Sequence, residues 1–261
     1  AKFPSDYQVL LKKLHDKHPN WMFVAVNTGL DWNDVVKNES SKNRSLLNKN
    51  NASLLLSKAK GDYDTSKGTY IPKDASTWVT ASRPAVAYYV DPRNFLIDEY
   101  IFSFEALNYN AAYHNVSGVE NVLKGTDLSN KKIVYTNTKG NTVETDITYG
   151  ETILGAGKEN KVSPLYLAAK IRQETGAKLT NKSISGNASF DGRSYRGYYN
   201  YYNIGAYGST TTSPVELGLK YAKGGTSNSK SYGRPWISPL LAIRGGAQYI
   251  AESYIAKGQN T

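Results

Sequence analysis

Glu174 closes a short apolar segment, and its place there suits it to proton transfer. The segment reads Ser163-Pro-Leu-Tyr-Leu-Ala-Ala-Lys-Ile-Arg-Gln-Glu-Thr-Gly176. Ser163 is a good N-cap, and Pro164 fits the first helical position, where its missing N–H costs nothing. Gly176 can take the left-handed conformation that stops a helix. Leu167, Ile171 and Glu174 then fall at i, i+4 and i+7, on one stripe of the helix. A carboxyl group ending a core-facing stripe is partly desolvated, and the helix C-terminus also disfavours negative charge. Both effects favour the protonated form that a general acid needs. A last-turn glutamate whose head simply reaches water is the plainer reading of the same residue.

A second feature follows closely. Residues 195–207 contain six tyrosines in thirteen positions, interleaved with Asn and Gly. Flat apolar faces with hydroxyl edges suit sugar rings, which are themselves apolar on their faces and polar at their rims. A buried tyrosine-rich strand is the competing reading.

These stretches resemble a known family. Lys170-Ile-Arg-Gln-Glu-Thr-Gly176, Tyr198-Tyr-Asn-Tyr-Tyr-Asn-Ile-Gly-Ala-Tyr-Gly208 and the tail from Gly245 to Thr261 are similar to the bacterial autolysin endo-β-N-acetylglucosaminidases of glycoside hydrolase family 73, in their clostridial form. The opening, from Phe3 through His18-Pro-Asn-Trp to Trp32, is similar to the same group. The resemblance implies a lysozyme-like, two-lobed body with a substrate cleft. It implies endo-hydrolysis of peptidoglycan glycan strands after N-acetylglucosamine, with Glu174 as general acid. Tyr198, Tyr202 and Asn203 match the family's aromatic–asparagine motif and are expected near the scissile bond. Gln173, Tyr221 and Trp236 are weaker candidates for sugar contact. Asp191 is the candidate second carboxylate, unless the N-acetyl oxygen of the substrate supplies the nucleophile. A lytic transglycosylase, a muramidase and a non-catalytic wall-binding protein remain as alternatives.

The elements that must hold these residues are readable in outline. Residues 5–17 predict a helix capped by Ser5, with Tyr7, Leu10, Leu11 and Leu14 on one face. Trp21 to Val26 reads as a strand, and Asp31 as the cap of a helix beginning at Trp32. From Lys58 to Ser82 the composition predicts an ordered but irregular surface. Asp91-Pro92 opens an expected helix reaching Leu107, and Val116 to Leu123 a shorter one. Residues 132–136 and 142–147 flank Lys139-Gly-Asn141 as a β-hairpin. Thr148 and Glu151 have capping-box spacing, which makes Glu151 a cap partner. Asn181 to Arg196 predicts a polar hairpin beside the site. Ser213-Pro214 and Ser238-Pro239 repeat the helix-starting device of Ser163-Pro164. The expected fold is α+β and mainly helical, with an N-terminal lobe over 1–147 and the core over 148–261.

Composition narrows the function. With 39% hydrophobic and 21% charged residues, the 261-residue chain is globular. It has no apolar run long enough to span a membrane. Without cysteine it has no disulfide, thiolate nucleophile or zinc–sulfur site. His15 and His18 lie three apart with no third ligand nearby, so neither metal nor cofactor is expected. No P-loop, Gly-x-Ser-x-Gly or His-Glu-x-x-His motif occurs. The net charge of +10 calls for an acidic partner. Its lysines are scattered rather than massed, which favours anionic wall polymers over nucleic acid. The chain opens directly on a helical unit, as expected of a trimmed mature region, and the resemblance implies a secreted, wall-associated protein acting as a monomer.

Overall fold

The computed structural model describes residues 2–41, 43–209 and 211–260, which form two compact units, Ala1–Phe104 and Glu105–Thr261. The expected boundary at 147/148 is displaced. Val119, Leu123 and Ile133 are fully buried in one cluster with Ile153, Leu167 and Ile171, so the segment from Glu105 onward belongs to the second core. Those earlier elements have apolar faces that the later helices cover.

In the first unit, helix α1 (Ser5–Lys17) buries Leu11 and Leu14 against Leu96. Its N-cap is Pro4, not Ser5, and no side chain caps it. Helix α2 (Trp32–Glu39) starts as expected, with the Asp31 carboxylate accepting from the backbone N–H of Asn33 and Asp34. Trp21 to Val26 forms no strand, because no described segment pairs with it. Trp21 and Phe23 turn into the cluster around α1, while Val24 and Val26 face solvent.

Strands β1 (Leu46–Asn48), β2 (Tyr63–Asp64), β3 (Thr69–Tyr70) and β4 (Trp78–Thr80) pair antiparallel as β1–β4 and β2–β3. Asp62 organises the irregular segment between them. Its carboxylate accepts from Ser57 at 2.7 Å and Thr80 at 2.9 Å and pairs with Lys73 at 3.1 Å. Helix α3 (Arg83–Val90) follows. The long helix expected from Asp91 is replaced by two 3-10 turns, Pro92–Phe95 and Ile101–Phe104. Between them Asp98 is drawn to α1 by Lys17 at 2.6 Å and His18 at 2.7 Å, a tertiary contact that overrides local propensity. His18 also stacks on Trp21, so His15 and His18 do not act as a pair.

In the second unit, helix α4 (Val116–Leu123) precedes the hairpin β5 (Lys132–Thr136) and β6 (Thr142–Thr148). The ladder runs Val134↔Glu144 to Thr136↔Thr142, with a bulge near Ile133. Thr148 and Glu151 form the expected capping box and open helix α5 (Tyr149–Asn160). That helix packs against α4, against α6 (Pro164–Thr175) and against the last helix, α8 (Pro239–Ser253). Between α6 and α8 lie the two-residue strands β7 (Ser189–Phe190) and β8 (Arg193–Ser194) and helix α7 (Pro214–Lys223). Ser163, Ser213 and Ser238 each accept a backbone N–H at the starts of α6, α7 and α8, as their Ser-Pro signals require.

The described residues thus give eight α-helices and four two-stranded antiparallel sheets, the mainly helical α+β class expected. None of these helices is long and apolar enough to cross a membrane.

Candidate active site

Helix α6 places Glu174 at the end of a stripe whose Leu167 and Ile171 are fully buried. Gly176 terminates the helix at φ 72°, as its type predicts. The final carbonyls of a helix lack intrahelical donors, and here two asparagines supply them. Asn203 donates to the Glu174 carbonyl at 2.9 Å, and Asn181 donates to that of Thr175 at 3.0 Å.

The Glu174 carboxyl group is partly withdrawn from water, at the position its stripe suggested. Its side chain is 29% exposed and pairs through Oε1 with the Lys170 ammonium at 3.2 Å. Its other oxygen, Oε2, accepts from Asn203 Nδ2 at 3.3 Å. Gln173, exposed on the same turn, meets the Lys170 ammonium at 3.3 Å. Lys170 carried a signal that sequence reasoning passed over: it stands one turn before Glu174, the spacing at which a lysine reaches a glutamate.

The tyrosine run splits between surface and core. Tyr199, Tyr201 and Tyr202 are buried with Trp236 in the main cluster. Tyr202, expected to face sugar, is 5% exposed, and its ring packs where a Cβ on Gly246 would stand. Burial holds its phenol protonated, and its hydroxyl has no hydrogen-bond partner. Trp236 is 0% exposed and donates its ring N–H to the Tyr232 carbonyl, which removes it from sugar contact. These rings become core because they pack among aliphatic side chains such as Leu167, Ile171 and Ile243 in one cluster. Tyr198 remains half-buried, with the Lys223 ammonium over its ring. Tyr221 is half-buried under the Arg234 guanidinium, 4.0 Å from the ring centre. Tyr207 is well exposed.

The other carboxylates separate by environment. Asp191 is 90% exposed at the tip of the β7–β8 hairpin. There Asp191 and Gly192, at φ 45° and 77°, make the left-handed two-residue turn that Asp-Gly favours. Glu216 is buried at the start of α7, where it takes Arg193 at 2.9 Å and the Tyr195 hydroxyl at 3.1 Å. Glu151 is committed to its cap. No group of three metal-ligating side chains occurs among the described residues.

No protein-family model matches the chain. It is 29% identical over 179 residues to a protein named Beta-N-acetylglucosaminidase from Bacillus subtilis (strain 168), covering 68% of this chain and 16% of that protein. It is 30% identical over 115 residues to a bifunctional autolysin of Staphylococcus epidermidis, covering 43% of this chain and 8% of that protein. The chain therefore spans a small part of both relatives. Among solved structures, glucosaminidase B of S. aureus aligns over 89% of this chain and 71% of its own, with a TM-score of 0.53 and 22% identity, a likeness of fold. The resemblance read from the glutamate and tyrosine–asparagine motifs is borne out by relatives so named.

Proposed function

We propose that the chain is a glycoside hydrolase that cuts peptidoglycan glycan strands after N-acetylglucosamine, with Glu174 as its general acid. The carrying observation is the geometry at the end of α6, where a half-exposed carboxyl group is gripped from two sides. Similarity to relatives named as a glucosaminidase and an autolysin supports the substrate class. The positive charge and the absence of cysteine support work outside the cell, on a wall carrying anionic polymers.

The chemistry follows from the carboxylates. Glu151 and Glu216 are held in structural contacts, and Asp191 caps an exposed turn. We therefore read the substrate's own acetamido oxygen as the nucleophile, an accepted exception to the two-carboxylate rule. Glu174 protonates the leaving glycosidic oxygen as the acetamido oxygen closes on the anomeric carbon. The resulting carboxylate then takes a proton from the water that opens the ring.

Digestion of purified peptidoglycan, followed by reduction of the new ends, tests this reading. Glucosaminitol is the expected terminal sugar. Muramitol or a 1,6-anhydro sugar assigns a different bond or reaction, and no fragments leaves a binding protein.

A further inference from the structure

We propose that Asn203 is a positioning residue for Glu174 rather than a group that touches substrate; this rests on the reading of Glu174 as the acid. Three features of Asn203 converge. Its backbone sits at φ 49°, the left-handed region that side chains occupy under strain. Its Nδ2 donates to both the carbonyl and Oε2 of Glu174. Its Oδ1 is buried without a hydrogen-bond partner. The Glu174 carbonyl can only accept, which fixes the orientation of the amide.

A residue that merely built the loop would not combine these costs. Glycine takes the same backbone angle freely and leaves no acceptor orphaned. Asn200, three residues earlier in the same run, shows the structural alternative. Its amide donates to the carbonyls of Ile204 and Gly218, and its oxygen accepts from the Ile204 N–H, so both ends are satisfied within the fold. Asn203 instead directs its amide at the side chain and carbonyl of one glutamate.

That grip has a chemical consequence. With an amide N–H aimed at Oε2, the transferable proton belongs on Oε1 once the Lys170 ammonium, 3.2 Å from that oxygen, has turned away. It passes from Oε1 to the glycosidic oxygen, and the bonding pair stays on the carboxylate. Rotation of the carboxyl group out of line is what the asparagine prevents. Misplacement of a catalytic group by about 1 Å costs on the order of a hundredfold in rate.

The test is Asn203→Gly, measured for kcat, KM and melting temperature on peptidoglycan against wild type. The expected result is a protein that binds with little change in KM, turns over about a hundredfold more slowly, and melts lower only by the loss of the bond to the Glu174 carbonyl. Wild-type kcat in the variant overturns the proposal. So does an equal loss of kcat in Asn181→Ala, which removes the neighbouring helix-end bond to the Thr175 carbonyl without touching the Glu174 carboxyl group and would return Asn203 to loop architecture. A wild-type protein that cuts no glycan overturns the reading of Glu174 itself, and the proposal with it.

Discussion

The Lys170 ammonium stands 3.2 Å from Oε1 of Glu174, one helical turn away on the same face of α6. A neutral carboxyl cannot donate its proton to an ammonium, so this contact must open before Glu174 can act as an acid. The same ammonium lies 3.3 Å from the Gln173 side-chain oxygen, which offers it another seat. Lys170→Met removes this competing donor and should turn peptidoglycan over at least as fast as wild type. Steady-state kinetics of the two proteins check this, and a large loss of kcat in a folded Lys170→Met protein would refute it.

Tyr202 and Gly246 test whether the tyrosine run is core or sugar platform. The buried Tyr202 hydroxyl has no partner, and an unsatisfied buried group costs about 1–3 kcal/mol. Tyr202→Phe should therefore raise the melting temperature and keep turnover near wild type. A Cβ on Gly246 would stand 2.1 Å from a carbon of the Tyr202 ring. Gly246→Ala should destabilise by about 1–3 kcal/mol through overpacking. Denaturation curves measure both, and lost turnover in a stable Tyr202→Phe protein would return the ring to the site.

His114 gives stability a pH dependence of known sign. It is buried, accepts from the Asn110 N–H through Nδ1 at 2.9 Å, and faces the Ser163 hydroxyl at 3.4 Å through Nε2. Burial lowers its pKa below the ordinary 6.5, so the unfolded chain takes up a proton first as pH falls. Stability is then unaffected by this group above pH 6.5 and declines below it. His114→Gln should show a smaller fall in melting temperature between pH 7 and pH 5.5 than wild type. An equal fall in both would assign the loss to other groups.

What could be read in the sequence follows from locality. The Ser-Pro helix starts, the Thr148–Glu151 box, the Asp191-Gly192 turn and the end of α6 at Gly176 depend on a few neighbouring residues. Each was visible before folding. The burial of Tyr202 was not legible, because it depends on Gly246 in α8, 44 positions later along the chain. The helix expected after Asp91 fails for a similar reason, since Lys17 and His18 capture Asp98 from far along the chain. The site was legible as a glutamate and an asparagine motif, while the hydrogen bonds joining them belong to the fold.

The most direct measurement is the turnover of purified peptidoglycan by Glu174→Gln beside wild type, with folding of both verified. The substitution keeps size and removes the acid. With Glu174 as the acid, turnover should fall by at least about a hundredfold, while Asp191→Asn, changed at an exposed turn, retains substantial activity. A folded Glu174→Gln protein with near wild-type turnover would show that Glu174 is not the acid.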